Sequence, residues 1–197
     1  MSDSKFKIIA GLGNPGKNYA QTRHNIGFLT IEALASQSSL SIDQSRFDSE
    51  YAKARIKGVS CFLVKPLTYM NKSGFPIHRF ASYYKVAMED IIIVHDDMDL
   101  DFGKIKIVKS RGHGGHNGVR SIINAFGKKD CIRIRIGVGH PKLQNNGHQK
   151  DITGHVLGSF SKDEKKKLDS VIDNACNACF HLLENSVTSA MNLFNQG

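Results

Sequence analysis

The sequence predicts an α/β protein: a single domain over residues 1–197 in which a twisted mixed β-sheet is flanked by α-helices. Three observations lead there. Short apolar, β-branched runs are interleaved with stretches whose apolar residues recur every three or four positions, so strands and helices alternate. The chain of 197 residues carries no internal repeat and no linker-like segment, and its length suits one core. The tract Ile91–His95 (IIIVH) has no polar face, as a central strand covered on both sides requires.

Each element follows in order. Lys5–Ala10 (KFKIIA) is a short apolar strand running into the glycine-rich GLGNPG. Thr22 is placed to cap a helix from Asn25 to Gln37, with Ile26, Leu29, Ala33 and Leu34 on its apolar face. Tyr51–Lys57 and Ser60–Lys65 form a hairpin around Gly58. Pro76 fits the first turn of a helix that carries Ile77, Phe80, Ala81 and Tyr84. Lys104–Lys109 and Cys131–Val138 alternate apolar with basic residues, the pattern of half-exposed strands. Between them Asn117 is placed to cap a short helix that Gly127 stops. Residues 141–154 read as a mobile loop, and Ser161 with Glu164 forms a capping box opening the long last helix.

Composition narrows the function. Hydrophobic residues make up 40% and charged residues 23%, with 4 Pro, which excludes a disordered or collagenous chain. No apolar run approaches the ~18–20 residues that span a bilayer, and the N-terminus lacks a secretory h-region. A cytoplasmic protein without membrane contact is expected. Lys and Arg number 27 against 18 Asp and Glu, a net +9 that favours a polyanionic partner. Cys176 and Cys179 form a CxxC without a second ligand pair at zinc spacing, and they fall on or beside a helical apolar stripe with Leu168, Val171, Ile172 and Ala175. All four cysteines, including Cys61 and Cys131, are read as core residues.

Four polar clusters lie beyond strand ends, where open α/β sheets place ligand crevices. Gly11-x-Gly13-x-x-Gly16 satisfies the dinucleotide fingerprint, but Pro15 interrupts the turn where the helix should begin, and Glu32 falls inside a helix. The neighbouring TRHN (Thr22–Asn25) calls for a reason other than a tight turn. TYMN (Thr68–Asn71) follows the hairpin. HDDMDLD brings Asp96, Asp97, Asp99 and Asp101 together without EF-hand spacing; a carboxylate there equally orients an imidazole. SRGHGGHNGVR offers backbone amides and a helix N-terminus to an anion, while His113 and His116 lack a companion metal ligand nearby. No nucleophile elbow is present, so hydrolysis here would use water activated by a His–Asp pair.

GLGNPGKNYAQTRHNIGF, KPLTYMNKSG, VHDDMDL, GHGGHNGVRSI and RIRIGVGHP, in that order, closely resemble the bacterial peptidyl-tRNA hydrolases. The resemblance runs from Lys5 into the C-terminal helix. It implies a monomeric α/β enzyme without metal or nucleotide cofactor, which cleaves the ester joining a peptide to the 3′ end of tRNA and recycles tRNA released prematurely from ribosomes. By position it implies that His24 is the general base, that Asp96 holds it, and that Asn14 distinguishes N-blocked from free aminoacyl substrates. Tyr19, Tyr69, Asn71 and Asn117 resemble contacts to the peptidyl and terminal-adenosine groups. Tyr69 stands where some relatives carry Phe, and Asp97 where some carry Glu.

Independent chemistry runs the same way. Ester hydrolysis needs a base, an orienting acid and hydrogen-bond donors near the developing oxyanion. The basic excess then has a polyanion to meet, peptidyl-tRNA rather than DNA, chiefly through phosphates. Arg133 with Arg135, and Lys104 with Lys106, project from single strand faces as candidates for those contacts. A non-catalytic RNA-binding module accounts for the charge but leaves His24, Asp96 and the loop asparagines without a shared purpose.

Overall fold

The computed structural model describes residues 6–141 and 151–196. Seven strands form one sheet in the order β2-β3-β4-β1-β5-β7-β6. These are β1 (Lys7–Gly11), β2 (Gln44–Arg46), β3 (Ser49–Ile56), β4 (Val59–Pro66), β5 (Ile91–Asp97), β6 (Ile105–Lys109) and β7 (Ile132–Gly137). β4, β1, β5 and β7 run parallel, while the β2–β3 side and β6 are antiparallel additions at the two edges. The helices are α1 (Ile26–Gln37), α2 (Gly74–Tyr83), α3 (Asn117–Phe126), α4 (Ile152–Leu157), α5 (Lys162–Glu184) and α6 (Val187–Phe194).

Period-two alternation splits the core. Ile9, Ile92, Val94 and Ile134 point to one face, where they meet Ile31 and Leu34 of α1 and Ala175 and Cys179 of α5. Ile8, Ala10, Ile91 and Ile93 point to the other, against Ile77 and Phe80 of α2 and Val119 and Ile122 of α3. β5 is buried from Ile91 to Asp96, as its unbroken apolar run requires. α1 rests directly on the end of β1: a Cβ at Gly11 would stand 2.2 Å from the Gly27 carbonyl oxygen, and one at Gly27 2.5 Å from Leu12 and Val94 backbone atoms. That contact sets the height of the turn preceding α1.

Several local expectations change. β7 is not half-exposed, because β6 pairs along its outer edge and helices cover the sheet; Arg133 is only 4% exposed. Thr22 does not cap α1; its Oγ1 donates to the Tyr19 carbonyl, and a one-turn 3-10 helix, Arg23–Asn25, precedes α1 instead. The residue capping α3 is His116, with Asn117 already inside the helix. Of the expected 141–154 loop, residues 152–154 begin α4, capped by the Asp151 carboxylate accepting from Gly154 N at 2.7 Å; residues 142–150 lie outside the described residues. The Ser161–Glu164 capping box opens α5, but α5 is not last: Ser186 caps a further helix, α6.

All four cysteines are free and buried. Burial pushes the Cys61 thiol up to about 11 and the Cys176 thiol up to about 12. No helix among the described residues is long and apolar enough to cross a membrane.

Candidate active site

The carboxyl ends of the parallel strands open into a cleft of ≈ 1240 Å³. All seven residues expected from the sequence line it: Asn14 and Tyr19 after β1, His24 in the turn before α1, Tyr69 and Asn71 after β4, Asp96 at the end of β5, and Asn117 at the start of α3. Segments far apart in sequence meet because β1, β4 and β5 deliver theirs at their common carboxyl ends. The segment after antiparallel β6 returns to that end, where His116 meets Asp96, before α3 begins.

Asp96 is the pivot. It is 2% exposed, and its Oδ1 lies 2.8 Å from His24 Nδ1 and 2.9 Å from His116 Nε2. Burial alone would raise its pKa; the two facing imidazoles outweigh that and hold the carboxyl well below the usual carboxylate range. The hydrogen-bond network assigns the tautomers. His116 Nδ1 accepts from Gly118 N at 3.1 Å and Val119 N at 3.3 Å, so its proton sits on Nε2 and is donated to Asp96. His24 donates through Nδ1 to the same oxygen, which leaves its Nε2 as an unprotonated acceptor in the neutral ring.

His24 is held from behind as well. Its neighbour Arg23 makes a two-pronged contact to Glu164 at 3.2 and 2.6 Å, and donates to the His155 carbonyl at 3.2 Å. Arg23 N donates to the Gly158 carbonyl at 3.1 Å, tying the turn to the link between α4 and α5.

Asn14 is fixed on three sides. Asn25 brackets its backbone, accepting from Asn14 N and donating to its carbonyl, both at 2.9 Å. Its side-chain Oδ1 accepts from Met70 N at 2.7 Å, so the carboxamide NH₂ is left for the cleft. Tyr19 and Tyr69 meet edge to face at 6.4 Å, and Tyr69 is 59% exposed at the rim. Asn117 is exposed, its Oδ1 accepting from Arg120 at 2.8 Å.

The α3 N-terminus, expected to receive an anion, has its Gly118 and Val119 amides already taken by the His116 ring. Arg133 also differs from expectation. Its guanidinium donates to the Gly112 carbonyl at 2.7 Å and reaches His95 Nε2 at 3.4 Å, which makes it a brace beneath the loop before α3. Burial, with the Arg133 guanidinium beside the ring, lowers the pKa of His95 and favours its neutral form. Arg135 is half-buried and paired with Asp97. Lys106, Lys109 and Arg111 are exposed cations along the same cleft.

His24, Asp96 and His116 also form the one group of three potential metal donors among the described residues, their atoms within 4.8 Å of one another. Their chemistry fits hydrogen bonding instead: both rings aim N–H groups at one carboxylate oxygen, and the second nitrogen of His116 is occupied by helix amides. From the sequence, His116 stands only as a metal-ligand candidate without a companion. Its signal was positional: a His–Asn–Gly just ahead of an apolar helix stands where a cap is needed.

An α/β sheet whose strand ends hold a carboxylate-bound imidazole above a polar cleft defines a small α/β enzyme. Residues 8–197 match the family model described as peptidyl-tRNA hydrolase. The curated peptidyl-tRNA hydrolase of Thermoanaerobacter sp. (strain X514) is 42% identical over 188 residues, covering 95% of this chain and 98% of the relative. That of Bacillus subtilis (strain 168) is likewise 42% identical, covering 95% and 97%. The crystal structure of peptidyl-tRNA hydrolase from Acinetobacter baumannii superposes with a TM-score of 0.88 at 38% identity, covering 98% of this chain and 96% of that one. The chain belongs to the peptidyl-tRNA hydrolase family, and it is an enzyme of that family.

Proposed function

We propose that residues 1–197 form a single catalytic domain that hydrolyses the ester between an N-blocked aminoacyl or peptidyl group and the 3′ end of tRNA, by a His24–Asp96 pair acting on water without a metal ion. The observation that carries this reading is the His24 Nδ1 to Asp96 Oδ1 hydrogen bond of 2.8 Å, which leaves Nε2 free on the cleft side. Water bound at Nε2 gives up a proton to His24 as its oxygen attacks the ester carbonyl carbon. The ionised Asp96 stabilises the imidazolium so formed. The tetrahedral intermediate collapses by breaking the bond to the ribose 3′ oxygen, which takes the proton from His24. Free peptide and deacylated tRNA result, and the base is regenerated.

With Asn14 Oδ1 taken by Met70 N, its NH₂ would donate to a substrate carbonyl, which supports selection for an N-blocked group. Asn71 and Asn117 add sequence-tolerant amide contacts, and Tyr19 with Tyr69 offers aromatic surface to the peptidyl and terminal-adenosine parts. The acceptor arm would meet Lys106, Lys109 and Arg111 through its phosphates. Action as a monomer on cytoplasmic peptidyl-tRNA, recycling tRNA lost prematurely from ribosomes, accords with the family and with the net charge of +9.

The test is release of deacylated tRNA from N-acetyl-aminoacyl-tRNA before and after exhaustive chelation. Unchanged turnover supports the water–imidazole route. Loss of turnover that Zn²⁺ or Mg²⁺ restores would assign the chemistry to a metal.

A further inference from the structure

We propose that His116 is a positioning residue for the reaction: a neutral Nε2–H donor, locked by the start of α3, that holds Asp96 in place and tempers its pull on the His24 proton. The inference rests on the reading of His24 as base. Asp96 Oδ1 is shared by the two rings, 2.8 Å from His24 and 2.9 Å from His116. A carboxylate oxygen accepting a second hydrogen bond carries less negative charge toward the first partner, so the donor weakens the attraction between Asp96 and a charged His24. A base so tempered returns its proton to the leaving oxygen more readily, which general acid–base turnover needs.

The lock comes from an unusual use of a helix cap. His116 Nδ1 accepts the Gly118 and Val119 amides, where a Ser or Asp oxygen normally sits. A proton on Nδ1 would break both bonds and set an imidazolium against the positive end of α3. The other charged or titratable neighbours add to this. The His24 ring lies 5.2 Å away between centroids, and a second proton there would repel one on His116. The His95 ring lies at 4.6 Å with the Arg133 guanidinium behind it, a further cation on that side. His113, on the same loop, has its Nδ1 accepting from Gly115 N at 3.1 Å. Asp96 is the anion that faces the ring, and the neutral Nε2–H is enough to meet it.

Two isosteric changes separate positioning from mere capping. His116→Asn keeps an acceptor where Nδ1 lies and loses the donor to Asp96; His116→Gln keeps an NH₂ donor near Nε2 and loses the cap. The account predicts that His116→Asn retains the wild-type melting temperature, loses about tenfold in kcat with KM little changed, and moves the acid limb of the kcat–pH profile to higher pH. His116→Gln should melt lower yet keep a wild-type pH midpoint. Imidazole ¹⁵N shifts of the wild-type enzyme should show His116 protonated at Nε2 alone from pH 6 to 8.

A His116→Asn profile coincident with wild type, or an Nδ1-protonated His116 in that range, overturns the proposal. Either result leaves the His24 reading standing. An active His24→Ala enzyme would instead bring down the base on which both depend.

Discussion

At the residue scale, the charge states around His24 determine the pH behaviour. Asp96 remains a carboxylate well below the usual range, because the two imidazoles outweigh its burial. Burial, with the Arg133 guanidinium beside it, lowers the pKa of His95. With Asp96 held as a carboxylate, the pH dependence falls to the base, and activity should rise with pH and then level off. In Asp96→Asn the imidazolium loses its counter-charge, and the rise should move to lower pH with a lower plateau. A profile in that variant shifted upward, or a flat wild-type profile from pH 5 to 8, contradicts the assignment. The pattern placed His24 and Asp96 in polar clusters directly beyond a strand or turn, and the resemblance to the family supplied the roles expected of them. His116 was not legible in this way, since its role depends on a backbone amide pair that only the start of α3 creates.

At the element scale, the site depends on how closely α1 approaches β1. With Gly27 replaced by Ala, the new Cβ would meet Leu12 N, Leu12 O and Val94 O, each 2.5 Å away. Backbone atoms in a buried parallel sheet cannot rotate aside, so α1 must lift. Gly27→Ala should cost about 1–3 kcal/mol in urea unfolding and should lower kcat, because the His24 turn rides on α1. An Ala variant as stable as wild type would show that α1 is free to shift. The principal strands and helices were legible because their periodicity is strong and their caps are local. β6 was legible too, read as Lys104–Lys109 and found at Ile105–Lys109, whereas β2, with 3 residues, is too short to show an alternation of its own. The misreading of β7 has a different cause. Alternating Arg133 and Arg135 resembles a half-exposed strand, but those guanidinium groups are consumed inward by Gly112, His95 and Asp97. A sequence shows charge without showing its partner.

At the scale of the whole molecule, part of the positive charge borders the cleft and part is engaged inside. Arg133 and Arg135 are engaged internally, whereas Lys106, Lys109 and Arg111 remain exposed along the cleft. Replacing Lys106 and Arg111 with Ala should weaken tRNA binding and flatten the dependence of log K on log salt by about one unit per lost phosphate contact. Turnover at saturating substrate should change little. Arg133→Ala should behave differently, impairing kcat and stability together, because it removes a buried brace. An unchanged salt slope in the Lys106 and Arg111 variants would place the tRNA on another face.

The central claim is that His24 and Asp96 act as one unit on water. A double-mutant cycle on kcat for N-acetyl-aminoacyl-tRNA tests it most directly. His24→Ala removes the base and should cost about 10²–10⁴ in rate, with Asp96→Asn costing less. The double variant should be scarcely slower than His24→Ala alone, since an orienting carboxylate without its imidazole has nothing to orient. Losses that simply multiply would contradict the account, showing that Asp96 contributes to hydrolysis by a route that does not pass through His24.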